Sequence, residues 1–396
     1  MSTPLNKLCE LIVDCPHSTA PDEGEGYPLI RTPNIGPGYL DLTDVHRVSK
    51  ETYDIRNARA VPQPMDLILA REAPAGNVGI IREGQWVCLG QRTVLIRPDQ
   101  KKVDPWFLNY YLNAPRQRHR LLSNANGATV SHVNMPVIRN LPVDMPSMEA
   151  QRRIASILMA YDNLIENNRK QISLLEEAAQ RLYKEWFVDL RFPGYENAEI
   201  IHGVPTGWKR SELGDLVFQS GCSVKKTERG EFGHYLPIDS IPSKAITCWE
   251  SDSIINASSS LISFRRDDFL FGAMRPYFHK VIIAPYKGLT RSTCLVLSAF
   301  DENYWAYAYM TLFAGDCVRY ATAISVGTTM PYVRWDDFKH MPVLLPTKAV
   351  AQSFEQLFQP IRNCVELLTK QDAELSEARN RILLKLISTE KNEVRS

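Results

Sequence analysis

Between residues 261 and 291 six basic side chains, Arg265, Arg266, Arg275, Lys280, Lys287 and Arg291, stand against two acidic ones, Asp267 and Asp268, a net charge of +4. Residues 71 to 102 have the same character: Arg71, Arg82, Arg92, Arg97, Lys101 and Lys102 face Glu72, Glu83 and Asp99, a net charge of +3. The chain as a whole holds 46 Lys+Arg and 45 Asp+Glu, so the positive charge is local. The cations of the first stretch are interleaved with Tyr, Phe and His, those of the second with Asn and Gln. Cations hold phosphates, and guanidinium or amide forks read base edges, so the chemistry on offer is non-covalent recognition of nucleic acid. A solvated basic edge would have the same composition.

Covalent chemistry finds no such support. The sequence has no GxxxxGK[ST], HExxH or GxSxG, and no glycine fingerprint after a strand for a nucleotide or methyl-donor cofactor. The carboxylate pairs Asp267/Asp268 and Asp336/Asp337 point to opposite faces if they lie on strands, and a solvated loop is the expectation for both. Cys9, Cys15, Cys88, Cys222, Cys248, Cys294, Cys317 and Cys364 form no CxxC pair, which argues for reduced, mostly buried thiols over a zinc site or disulfide framework. The start MSTPLNKLCELIVDCPH lacks a signal-peptide layout and no window approaches 18 consecutive apolar residues, so the cytoplasm is the expected compartment.

The basic stretches must be positioned by two much longer elements. From Glu149 the chain runs 39 residues without Pro or Gly, a helix of roughly 55 to 60 Å. Tyr161, Asn168, Leu175 and Leu182 recur every seven positions, as do Leu158, Ile165, Ile172, Ala179 and Trp186, which is a heptad seam. A second seam runs from about 350 to 387 through Phe354, Phe358, Ile361, Val365, Leu368, Leu375, Ile382 and Leu386. Phe354 and Ile154, Ile361 and Tyr161, Leu375 and Leu175, and Ile382 and Leu182 are each 200 apart. The same offset aligns residues 126–146 with 326–346, matching Gly127/Gly327, Thr129/Thr329, Val133/Val333, Pro142/Pro342 and Pro146/Pro346, so the chain is internally duplicated. Each half has a front of about 145 residues with strand-like runs (DLILA, VGII and RTVLIRP; DDFLF, KVIIAP and TCLVLSA) and a helix-like stretch (PWFLNYYLNAP; NYWAYAYMTLFAG). The fold class expected is α+β: two mixed α/β fronts, with the two long helices forming an antiparallel coiled coil and a pseudo-two-fold axis relating the halves. An ordinary core helix in each half, or a homodimeric coiled coil, would also bury the seams.

The segments PLIRTPNI, DLILAREAPAGNVGII, CLGQRTVLIRP, SMEAQRRIASILMAYDNLIENNRKQISLLEEAAQRLYKEWF, VPTGWKRSELGDL, FLFGAMRPYFHKVIIAP and TRSTCLVL together resemble, in order, the specificity subunit of a type I DNA restriction-modification system. The resemblance implies target-recognition domains at 1–148 and 191–345 and conserved helices at 149–190 and 346–396. It further implies that each recognition domain reads one half of a split, asymmetric DNA target, while the coiled coil fixes the unread gap. The subunit would be non-catalytic and hold no cofactor. Its partners would be double-stranded DNA, two methyltransferase subunits that use S-adenosylmethionine to methylate adenine, and two motor-nuclease subunits that use ATP and Mg; no membrane is involved. Carried over by position, Arg71, Asn77, Gln91 and Arg92, then Arg275, Tyr277, Lys280, Arg291 and Thr293, are the candidate DNA contacts, with His132, Asn134, Tyr332 and Arg334 beside the duplicated glycine loop. Tyr183, Trp186 and Phe187 are the candidate contacts to a methyltransferase partner, with a plug between helix and domain as the alternative for the last two. A coiled-coil scaffold, or the detached specificity part of a fused enzyme, are the competing readings.

Overall fold

The computed structural model describes residues 2–123, 132–257 and 260–393, with their side chains through residue 385 apart from Asn256. Gly127 and Thr129 of the first glycine loop, and the side chain of seam residue Leu386, lie outside this description. The chain forms two compact units, Met1–Asn163 with Glu377–Ser396, and Leu164–Ser376. The division therefore cuts across both long helices.

In the first unit the central sheet has the order β2 (Cys9–Asp14), β5 (Thr93–Pro98), β3 (Leu67–Ala70) and β4 (Val78–Ile80), all antiparallel. The run LILA is buried at all four positions, as expected for a strand covered on both faces. Alternation assigns the faces: Leu67 and Leu69 enter one apolar cluster with Val94 and Ile96, while Ile68 and Ala70 enter another with Leu95. Helix α1 (Pro105–Asn113) covers the first face; Asp104 caps it by accepting the Phe107 N–H at 2.9 Å, and Pro105 sits where no donor is needed. Strand β1 (Ser2–Pro4) pairs antiparallel with β6 (Pro142–Asp144), which leads directly into the long helix α3 (Met148–Tyr183); the helix after α1 is α2 (Pro115–Ser123).

The second unit repeats this plan. Its sheet has the order β8 (Val217–Gln219), β11 (Cys294–Ala299), β9 (Phe269–Gly272) and β10 (Val281–Ile283). Phe269, Phe271, Leu295 and Leu297 face one cluster, and Leu270, Cys294 and Val296 the other. Helices α4 (Trp305–Phe313) and α5 (Gly315–Ala323) take the places of α1 and α2. Strand β7 (Lys209–Glu212) pairs with β12 (Pro342–Leu345), which leads into α6 (Lys348–Glu393). The internal duplication is thus one of topology as well as of sequence.

Within each unit α3 and α6 run antiparallel. In the first, Ile154, Ala155 and Leu158 share a cluster with Leu383, and the Arg379 Nε lies 2.6 Å from the Asp162 carboxylate. That carboxylate also accepts the Tyr110 hydroxyl at 2.6 Å, tying the helix pair to α1. In the second, Asn168 donates to Gln371 at 3.1 Å, Arg169 pairs with Asp372, and Ala179 and Trp186 pack with Phe354, Phe358 and Val365. The Asn168 that interrupts the heptad seam is therefore partnered across it, the arrangement by which a buried polar residue fixes coiled-coil register.

All eight cysteines are free, and only Cys222 and Cys364 are exposed. Burial pushes the thiols of Cys9 and Cys248 up to about 12 and that of Cys88 to about 11. The thiolate is the reacting species, so at pH 8 an aromatic disulfide reagent should titrate two thiols quickly in the native protein and eight after denaturation. A fast native count of three or more would contradict this. No helix among the described residues is long and apolar enough to cross a membrane.

Candidate nucleic-acid interface

In the first unit Arg71 leaves the end of β3, but the residue is only 6% exposed and its guanidinium is fully engaged inside the protein. Its Nε donates to the Val133 carbonyl at 2.9 Å, one terminal nitrogen lies 2.5 Å from the Asp14 carboxylate on β2, and the other lies 2.6 Å from the His132 Nε2. A guanidinium only donates, so His132 accepts at Nε2 and carries its proton on Nδ1, which donates to Glu72 at 3.0 Å. The other Glu72 oxygen pairs with Arg92 at 2.7 Å. Five charged or ionisable groups from four segments thus form one chain, whose outer end is Arg92, the half-exposed member. Arg71 holds His132 and the segment after the glycine loop in place, and is itself captured by Asp14, which lies 57 residues away in sequence.

The remaining candidates of this unit are scattered around that chain. Gln91 donates to the His17 carbonyl at 2.8 Å and accepts from Thr19. Asn77 is buried, with its amide donating to the Ile35 carbonyl at 2.9 Å and its oxygen lacking a partner among the described residues. Asn134 precedes the helix Met135–Arg139 without capping it through its side chain.

In the second unit the place of Arg71 falls to Ala273, which donates to the Thr293 carbonyl and accepts from the Val333 N–H as Arg71 does with Arg92 and Val133, and the candidate arginine lies two residues later. Arg275 follows β9 with a left-handed backbone (φ 49°), its N–H donating to the Pro331 carbonyl at 2.7 Å. Its guanidinium reaches only the Thr329 carbonyl, at 3.3 Å, and its Nε has no partner among the described residues. Among the described residues no carboxylate pairs with this cation. Tyr332, which stands where His132 does in the first unit, donates its hydroxyl to the Ser292 carbonyl at 3.0 Å, and burial raises that phenol above its ordinary range. Lys280 donates to the carbonyls of Ile238 and Asp239, Arg291 donates to the Tyr235 hydroxyl at 2.6 Å, and the Thr293 hydroxyl is buried without a partner among the described residues. Arg334 is exposed and pairs with Asp337 at 2.9 Å. Tyr277 is half exposed and contacts Phe278, equally exposed, at a ring separation of 4.8 Å. Phe278 was not singled out by the sequence; its signal is the RPYF run itself, two adjacent aromatics that a short turn cannot both bury.

One other expectation changes. Asp268 is buried, accepting the Arg265 N–H at 2.7 Å and the Ser220 hydroxyl, with burial raising its carboxyl; it closes a turn and is not a solvated loop residue. Among the described residues no group of three His, Cys, Asp or Glu could hold a metal.

The partner-binding candidates are mostly interior. The last turn of the central helix, Lys184–Val188, widens to a π turn, which brings the adjacent Trp186 and Phe187 both inward. Phe187 lies 4.7 Å from Tyr307 and 4.9 Å from Phe354, so the plug reading describes its place. Only Tyr183 lines an open groove, of about 380 Å³, with Arg181, Lys184, Val188, Phe313 and Arg319; its hydroxyl donates to Thr311 and burial pushes it up to about 12.

Residues 7–177 match the family model of the type I restriction modification DNA specificity domain. The chain is 26% identical over 347 residues to the type I restriction enzyme MjaIX specificity subunit of Methanocaldococcus jannaschii, covering 81% of this chain and 76% of that relative. It is 24% identical over 387 residues to the MjaVIII specificity subunit of the same organism, covering 93% and 87%. Its fold is similar to the crystal structure of a type I restriction-modification S subunit from M. genitalium, with a TM-score of 0.60 at 14% identity over 98% of this chain and 95% of that one. With its sheet plan built twice, its paired long helices and a first part that matches the specificity-domain model, the chain is similar to type I restriction-modification DNA specificity subunits.

Proposed function

We propose that each of the two fronts, residues 1–148 and 191–345, reads one half of a split, asymmetric DNA target, and that the helices at 149–190 and 346–396 set the gap between the halves. The observation that carries this reading is that one sheet plan is built twice with different groups at equivalent places: Arg71 and His132 in the first unit, Ala273 and Tyr332 in the second. A duplicated scaffold with divergent surface chemistry suits two readers of unlike sequence. Arg92, Gln91 and Asn134 then face DNA in the first unit, with Arg71, Asn77 and His132 behind them. Arg275, Tyr277, Lys280, Arg291, Thr293, Tyr332 and Arg334 serve the second. Methyl transfer from S-adenosylmethionine to adenine, and ATP-driven cleavage, belong to two methyltransferase and two motor-nuclease partners. The groove beside Tyr183 offers the first of these partners a mixed apolar and basic surface.

Methylation mapping of DNA exposed to this chain with its methyltransferase partner should yield a two-part motif. Exchanging residues 1–145 for another member's segment should change one half of that motif and leave the other intact. A motif without a gap, or a change in both halves, would overturn the assignment. A scaffold without DNA selectivity would give no motif at all.

A further inference from the structure

The turn after β9 combines three properties that do not ordinarily occur together. It exposes large aromatic surface, it is rigid, and it stands among cations without counter-charges. Tyr277 and Phe278 are 50% and 47% exposed at its tip. The three-residue helical turn Pro276–Phe278 is flanked on both sides by left-handed residues that are not glycine, Arg275 (φ 49°) and His279 (φ 52°), a backbone that costs free energy and persists only where surrounding structure holds it. That structure is visible. Arg275 donates from its backbone to Pro331, Phe278 to Arg275 at 3.0 Å and His279 to Pro276 at 2.8 Å. From outside, Ser243 donates to the Phe278 carbonyl at 2.6 Å, the Lys244 N–H donates to the His279 carbonyl at 2.9 Å, and the His279 Nε2 donates to the Phe313 carbonyl at 2.8 Å. Two aromatic rings are thus held out on a turn pinned at Arg275, Pro276, Phe278 and His279, when a mobile turn could have folded them back.

The surroundings select the class of ligand. Arg275, Lys244 and Lys280 form no ion pair among the described residues: Arg275 and Lys280 reach only carbonyl oxygens, and Lys244 is exposed. An apolar ridge flanked by uncompensated cations fits a polyanion with stacked rings, the composition of a nucleic-acid duplex, better than it fits an apolar protein surface. The first unit supplies an internal control. Its equivalent turn, Glu72 to Gly76, has no aromatic residue, and the arginine before it is neutralised by Asp14. The feature therefore belongs to one reader only.

We propose that Tyr277 and Phe278 form a rigid wedge that enters a base step of the DNA half-site read by the second unit, with Arg275 and Lys244 holding the flanking phosphates. The proposal rests on the two-reader assignment made for the chain. Side chains of this kind partly unstack the step they enter, and stacking is tolerant of sequence, so the wedge contributes affinity and a preference for easily unstacked steps.

The test uses the full chain with its methyltransferase partner and a duplex carrying the mapped motif, with 2-aminopurine placed in turn at each purine position other than the methylated adenine. Wild type should brighten the probe at one step, in the half-site of the second unit. Tyr277→Ala/Phe278→Ala should abolish that rise and weaken binding roughly 10- to 100-fold, while Phe278→Trp retains both. Selective binding by wild type without brightening at any step, or a double variant that binds as tightly as wild type, overturns the wedge and leaves the two-reader assignment standing. A double variant that no longer co-purifies with the methyltransferase would also overturn it, because the turn would then dock protein. Failure of wild type to bind any motif selectively overturns the two-reader assignment itself.

Discussion

Phe187→Ala is expected to destabilise the second unit by about 3 to 5 kcal/mol, the range for deleting a buried aromatic ring from a packed core. The ring is 8% exposed and lies within 6 Å of Tyr183, Trp208, Tyr307 and Phe354, residues from four separate segments, so no single side chain can move to fill the space. Phe187→Leu keeps most of the volume and should cost about 1.5 kcal/mol or less. Denaturant unfolding followed by tryptophan fluorescence suits the measurement, because Trp186 and Trp208 lie in the same cluster. A chain of two units can unfold in two steps, so the loss should fall on one transition. If Phe187 instead met a partner subunit, alanine would leave both transitions unchanged and reduce only assembly.

The second large effect is expected at Arg71. Removing it leaves Asp14 without its cation and the Val133 carbonyl and His132 without their donor, all at partly or fully buried positions, and losing one partner of such a pair costs about 3 to 5 kcal/mol. Arg71→Lys keeps the charge but cannot serve three acceptors in one plane, so it should recover only part of the loss. The charge of Arg71 is already compensated, so a destabilised but folded Arg71→Lys should leave the dependence of DNA affinity on salt unchanged. Removing a phosphate contact would reduce that slope by about 1. Arg275→Ala should show the opposite pattern, with little effect on stability, a loss of affinity that is uniform across sequences, and a salt slope smaller by about 1. An Arg71→Lys variant with normal stability would show that the buried chain of charges is not what holds the segment around His132.

The differences between Arg71 and Arg275 mark where reading the sequence stops. Both follow a buried strand, Arg71 directly and Arg275 three residues on, and the apolar runs before them place each near a strand end without saying which is paired. Asp14 distinguishes them, and it reaches Arg71 only because β2 and β5 pair and β5 pairs with β3. The same holds for Asp268, which looked like a surface carboxylate until the turn around it buried it. It holds also for Trp186 and Phe187, which a regular helix would send in directions about 100° apart and which the π turn brings together.

What the sequence determined by itself is periodic or repeated. The heptad seams placed both long helices, the apolar runs placed the buried strands, and the 200-residue offset announced a sheet plan built twice. These are consequences of backbone geometry, which has the same period wherever a chain is helical or extended. The boundaries of the compact units, which pass through the long helices, and the fate of each charge were decided only by the tertiary structure. A charge is satisfied by whichever group packing brings within about 3 Å, and hydrogen bonds of that length join residues without regard to their separation along the chain.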